Sequence, residues 1–144
     1  MPMGKLMLSL VVLLLPAVGP AAGDAPPGEV VDRFVTAFND RDFRTLLALA
    51  HRDIEWLSVD ASGVSTETRG RTALQASLSE YFDSCPSCRS DVVVGAVTGP
   101  YVAAVETAHW TSAGGDERSQ SSLSVYEILD GRVRRVWYYP AATP

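Results

Sequence analysis

The sequence predicts an α+β domain: three N-terminal helices packed on a strongly curved, mainly antiparallel sheet that forms a cone-shaped half-barrel. Three observations predict it. Apolar residues recur at helical spacing in the first half of the chain. Beyond residue 90 only strand signals remain, and tight-turn dipeptides join them as a meander. The last strands alternate polar with apolar residues, so helices are expected to cover one face of the sheet. A sheet wrapped on a long helix leaves a cone with an open mouth, a usual place for a small-molecule site.

Each element has its own warrant. Val30, Val31, Phe34, Val35 and Phe38 make one apolar helical face, which "NDRD" ends. Asp42 can cap a second helix with Phe43, Leu46, Leu47 and Ala50 as its stripe. His51 falls at that helix's end, where the dipole accounts for a cationic residue. "DIEWLSV" reads as the first strand, with Ile54, Trp56 and Ser58 on one face, and a polar loop through Gly63 follows. "GRTALQASLSEYF" is a third helix with Leu74, Leu78, Tyr81 and Phe82 on one side. "DVVVGAV", "YVAAVETAHWT", "SSLSVYEIL" and "RVRRVWYY" are the remaining strands, broken at Gly99-Pro100, Gly114-Gly115 and Asp130-Gly131. The last of these is a strong two-residue hairpin signal. Glu55 and Glu106 alternate with apolar neighbours and read as solvated strand positions.

The N-terminus has the layout of a secretory signal peptide: Lys5, an uncharged apolar run from Leu6 to Leu15, Pro16, then small residues. The run is about half of a membrane span. Cleavage after Gly23 is expected. The chain then divides into signal peptide 1–23, linker 24–28, domain 29–140 and tail 141–144, and the product is secreted or periplasmic, with no membrane association. Removing residues 1–23 takes the formal charge from −5 to −6. Such acidity offers no electrostatic footprint for nucleic acid. All eleven remaining cationic residues are arginines, which excludes Schiff-base chemistry on a lysine.

Cys85 and Cys88 are spaced Cys-x-x-Cys. Redox catalysts of this spacing place the pair at a helix N-terminus, where the dipole stabilises a thiolate. Here it follows the third helix instead. Zinc needs about four ligands, and the only histidines, His51 and His109, lie far from the pair in sequence. In an oxidising compartment the pair therefore reads as a local disulfide, with no metal. Closing so short a loop contributes roughly 2 kcal/mol, so it pins the turn more than it holds the fold.

Three segments carry a resemblance: "VVDRFVTAFNDRDFRTLLALAHRDIEW", "RGRTALQASLSEYF" and "VYEILDGRVRRVWYY". In this order and spacing, over residues 29–139, the chain resembles the nuclear transport factor 2-like superfamily, with its cystatin-like cone, and within it the SnoaL-like branch. The resemblance implies an apolar pocket, no cofactor, and two copies paired through the outer sheet face. It spans isomerases, cyclases, dehydratases, epoxide hydrolases and non-catalytic binders, so function rests on the site. Ketosteroid isomerases of the superfamily imply a carboxylate at the position of Ser58, a tyrosine near Phe34 and a protonated acid near Leu123, and this chain lacks all three groups there. The cyclases imply an aspartate and a histidine. His109 is the candidate histidine, with a pKa near neutrality when unperturbed; Asp60 would replace the isomerase base if the strand end curls inward, and would assist His109 if the loop after the first strand folds over the cone mouth. Phe34, Trp56, Ser58 and Trp137 are the expected ligand contacts. The expected function is binding of a small apolar molecule. The alternatives are an isomerase, cyclase or hydrolase working through His109 and Asp60, and a protein-interaction domain.

Overall fold

The computed structural model describes residues 25–142; the expected signal peptide lies outside the described residues. Helices α1 (Pro27–Asn39), α2 (Phe43–Leu49) and α3 (Arg71–Ser84) pack on six strands: β1 (Ala50–Asp60), β2 (Gly63–Arg69), β3 (Arg89–Thr98), β4 (Tyr101–Thr111), β5 (Glu117–Leu129) and β6 (Arg132–Tyr138). The sheet order is β2-β1-β6-β5-β4-β3, and only the β1–β6 pair is parallel. The sheet is open and mixed, and its concave face wraps the helices.

Local chemistry sets the boundaries. The Asp42 side chain accepts from the Thr45 N–H at 3.1 Å and starts α2. Asp130 (φ 52°) and Gly131 (φ 67°) both take the left-handed conformation that a tight hairpin needs, and they join β5 to β6. Val30, Val31, Phe34, Leu46, Ile54, Leu74, Val102, Tyr126, Val133 and Val136 form the centre of the core between α1 and the concave face.

Three local expectations are corrected. The segment read as a loop after β1 is strand β2, antiparallel to β1 through Asp60↔Gly63 to Glu55↔Arg69. "GVSTETR" holds one apolar residue, Val64, because it is an edge strand with most side chains in solvent. Second, α2 stops at Leu49, so His51 belongs to β1, where its Nδ1 accepts from the Asp53 N–H at 3.1 Å. Third, Glu106 is 8% exposed and buried on the concave face of the sheet rather than solvated. In addition, Ala142 exchanges two backbone hydrogen bonds with Ser121, which ties the end of the described chain to β5.

Cys85 and Cys88 are joined in a disulfide between α3 and β3. The α1–α2 turn grips this loop. The Arg41 guanidinium donates to the Cys88 and Pro86 carbonyls and lies 3.8 Å from the Phe82 ring centroid. Asn39 exchanges two hydrogen bonds with the Ser90 backbone, at 2.7 and 2.8 Å. The bridge thus anchors the start of β3, the strand that carries Ser90 into the cone.

Candidate functional site

The cone encloses a cavity of about 450 Å³, open at one end. That volume suits a small organic ligand. Phe34, Val35 and Phe38 from α1 and Leu74, Leu78 and Tyr81 from α3 form its apolar wall. The opposite wall is the concave sheet face, where inward-facing residues form a diagonal band across five strands: Trp56 (β1), Tyr138 (β6), Tyr126 (β5), Glu106 (β4) and Ser90 (β3). Strand alternation puts them there: Val102, Ala104, Glu106 and Ala108 share one face of β4, and the first two are core residues.

Glu106 is the chemical centre of the band. Tyr126 Oη donates to Glu106 Oε2 at 2.9 Å, and Tyr138 Oη and Ser90 Oγ lie 3.5 and 3.4 Å from Oε1. The two phenol oxygens are 3.4 Å apart. No cation pairs with this carboxyl among the described residues. Burial pushes its pKa above the ordinary glutamate range, and hydrogen bonds from Ser124, Tyr126, Tyr138 and Ser90 pull it only partly back. Burial also raises the Tyr126 and Tyr138 phenols well above their usual range, and the nearby carboxyl adds to this. Burial thus shifts Glu106 toward its neutral form relative to an exposed glutamate, and the two phenols stay protonated. Trp56 stacks on Tyr138 with centroids 5.2 Å apart and planes 19° apart, giving the cavity a flat aromatic floor.

Of the ligand contacts expected from sequence, Phe34 and Trp56 line the cavity; Ser58 and Trp137 are not among its lining residues. Ser58 lies beyond Trp56 in β1, paired with Ser65 and Tyr138. Trp137 faces outward, near Tyr101 at 6.5 Å between ring centroids. The expected histidine–aspartate pair is not assembled. His109 sits one residue past Ala108 and so points to the convex face, where its Nε2 lies 2.9 Å from the exposed Asp91 carboxylate without hydrogen-bond alignment. Asp60 does not curl inward: it closes the β1–β2 turn, accepting from the Ser62 N–H at 2.7 Å and from its hydroxyl. These bonds hold its carboxyl below the ordinary range. The position near Leu123 is exposed on the outer face, and the buried acid stands one strand away, on β4.

Sequence reasoning passed over Glu106, Tyr126 and Thr68. The signal for Glu106 was its parity with Val102 and Ala104 in "YVAAVETAHWT". Thr68 lines the cavity from β2, and its Oγ1 is buried without a partner. Such an orphan hydroxyl costs about 1–3 kcal/mol unless a ligand or water satisfies it.

An α+β cone with a buried acid at its floor defines the class of protein, and the family follows from the comparisons. A family model described as a SnoaL-like domain matches residues 31–136, and the chain belongs to this family, within the nuclear transport factor 2-like superfamily. No curated protein matches the chain. Among solved structures it is similar to IdmH from Streptomyces antibioticus, a proposed polyketide cyclase, with TM-score 0.68 and 21% identity over 81% of this chain and 92% of that one. It is similar to TerC co-crystallised with polyporic acid, with TM-score 0.65 and 19% identity over 83% and 92%. A proposed ketosteroid isomerase from Kribbella flavida gives TM-score 0.64 and 22% identity over 82% and 80%. At these identities the likeness is one of fold.

Proposed function

We propose that the cone binds a small, flat, largely apolar molecule and that Glu106 in its neutral form, held in place by Tyr126 and Tyr138, donates a hydrogen bond to an oxygen on it. The observation that carries this reading is a buried carboxyl held by two phenols at the floor of an aromatic cavity, with no ion pair to a cation among the described residues. A carboxylic acid kept neutral by its surroundings is a hydrogen-bond donor at pH values where an exposed one is not. That TerC, a structure of similar fold, was co-crystallised with polyporic acid is in keeping with a small organic ligand.

Titration with the fluorescent ketone 2-acetylnaphthalene tests it. The ketone should bind, and its affinity should fall as pH rises through the raised pKa of Glu106, because the ionised form cannot donate. Glu106→Gln should flatten the profile, since an amide donates at every pH. Superimposable profiles for the two proteins would refute the reading.

Turnover is the second reading, favoured by the same donor cluster. Hydrogen bonds preorganised toward one oxygen stabilise an enolate as well as a ketone, and structural relatives include the proposed cyclase and isomerase. Binding is preferred because His109 and Asp60 both lie outside the cavity lining, and Glu67, the other carboxyl that lines it, is exposed at the mouth.

Two other features bear on assembly and location. Val93, Val105 and Leu123 stand in one cross-strand row on the convex face and are 69, 48 and 48% exposed. This apolar row supports pairing of two chains there. The N-terminal segment supports export. Protein recovered from outside the cytoplasm should begin at Asp24 and sediment as a dimer at micromolar concentration. A retained Met1 or a monomer would remove the corresponding part.

A further inference from the structure

The β1–β2 ladder slips by one residue: Trp56 faces Thr68, but Leu57 faces Thr66. Glu67 is therefore the extra residue of a β-bulge. In a regular strand, neighbours point to opposite faces; a bulge bends the strand and re-aims its side chains. Here the consequence is that Glu67 and Thr68, adjacent in sequence, both line the cavity. Glu67 is exposed, at the mouth, and accepts from Ser65 Oγ at 3.2 Å. Thr68 is partly enclosed and its Oγ1 is out of solvent with no partner. Among the described residues the other such buried side-chain atom is His109 Nε2, which has the Asp91 carboxylate beside it on the far face. Thr68 Oγ1 has no hydrogen-bond partner, and the residue borders the cavity.

Three strands separate β2 from β4, and Trp56 and Tyr138 lie stacked between Thr68 and Glu106. The two polar groups thus stand at opposite ends of an aromatic floor. The two ends differ in chemistry. The Glu106 end presents donors. The β2 end presents a carboxylate, which only accepts, and a free hydroxyl.

We propose that the bulge in β2 builds a second polar station, in which Thr68 Oγ1, with Glu67 beside it, hydrogen-bonds a hydroxyl on the ligand. The substrate class this defines is an elongated flat molecule with a carbonyl-type oxygen at one end and a hydroxyl at the other. The inference rests on the ligand reading of Glu106 and deepens it: Glu106 selects the acceptor end and Thr68 the hydroxyl end. Thr68 is thereby a specificity-determining residue.

The test compares two probes, 2-acetylnaphthalene and 6-acetyl-2-naphthol, which share the ketone and differ in one hydroxyl. Both are titrated at the pH of tightest ketone binding into the wild type, Thr68→Val and Thr68→Ser. The wild type should favour the hydroxyketone by about tenfold, on the scale of one hydrogen bond. Thr68→Val should abolish that preference. Thr68→Ser should keep it, which separates the hydroxyl's role from any effect of side-chain shape. Glu67→Gln should reduce the preference for the hydroxyketone. If the plain ketone binds with the Glu106-dependent pH profile but the added hydroxyl gains nothing, or if Thr68→Val keeps the preference, the second station is wrong while the Glu106 reading survives. If neither ketone binds, both fall together.

Discussion

Glu55 and Glu106 are both mid-strand glutamates with apolar neighbours, yet they occupy opposite faces of one sheet and opposite electrostatic worlds. Glu55 lies on the convex face with Arg135 Nε at 2.8 Å, Arg69 Nε at 3.1 Å and Arg134 at 3.6 Å, and Arg135 also reaches Glu127 at 2.9 Å. The hydrogen bond from Arg135 is the main cause that holds its carboxyl below the ordinary range. Glu106 lies on the concave face among phenols and hydroxyls, and burial raises it. The difference teaches where this protein keeps structural charge and where it keeps reactive protons. A carboxylate surrounded by guanidinium groups is committed to holding strands together. One surrounded by neutral donors in an aromatic cavity can exchange a proton or a partner.

The largest expected effects come from neutralising each glutamate in turn, and they have opposite pH signatures. Glu55, with its lowered pKa, contributes stability that is present above the ordinary glutamate range and lost as pH falls through the lowered value. Glu55→Gln should therefore destabilise at neutral pH, by about 1–2 kcal/mol, between the exposed and buried limits for ion pairs. The loss should shrink toward acid. Glu106, with its raised pKa, contributes stability that is full below the ordinary range and lost as pH rises through the raised value. Above that value the wild type loses about 1.4 kcal/mol for every tenfold by which folding weakens the acid. Glu106→Gln should remove this alkaline loss. Urea unfolding across pH checks both, and parallel profiles for the two variants would break the contrast between the faces.

The fold was more legible than the site. Helical spacing, the Asp42 cap and the Asp130-Gly131 turn are local signals, and each held. Strand β2 escaped because an edge strand has little apolar pattern to read. The site was harder for a physical reason visible in β4. Parity divides its residues correctly into Val102, Ala104, Glu106, Ala108 and Ala103, Val105, Thr107, His109. Both sets begin apolar, because the convex face carries its own apolar row, so parity alone does not say which set faces the helices. Ile54 and Trp56 marked the inward face of β1, but the link from β1 to β4 runs through two other strands. That link also joins Glu106 to Tyr126 and Tyr138, residues 20 and 32 positions away in sequence.

The smallest expected effect belongs to His109, the residue that sequence reasoning favoured for proton transfer. On the convex face its imidazole has one nearby acid, Asp91, whose side chain is 62% exposed, while that of His109 is 24% exposed. Pairs of this kind contribute about 0–1 kcal/mol, and salt screens them. His109→Ala should change stability by less than about 1 kcal/mol, with the difference fading at high salt. It should leave ketone binding and its pH profile untouched, because the neighbouring Ala108 and Glu106, rather than His109, face the cavity. Since Arg89 stands opposite His109 in the ladder and also lies 3.6 Å from Asp91, the carboxylate keeps a cationic partner in the variant. That second partner is why the loss should sit at the low end of the range. Binding that weakens with His109→Ala, or a pH profile that shifts with it, would mean that the two faces communicate through β4, and would return the histidine to the functional site.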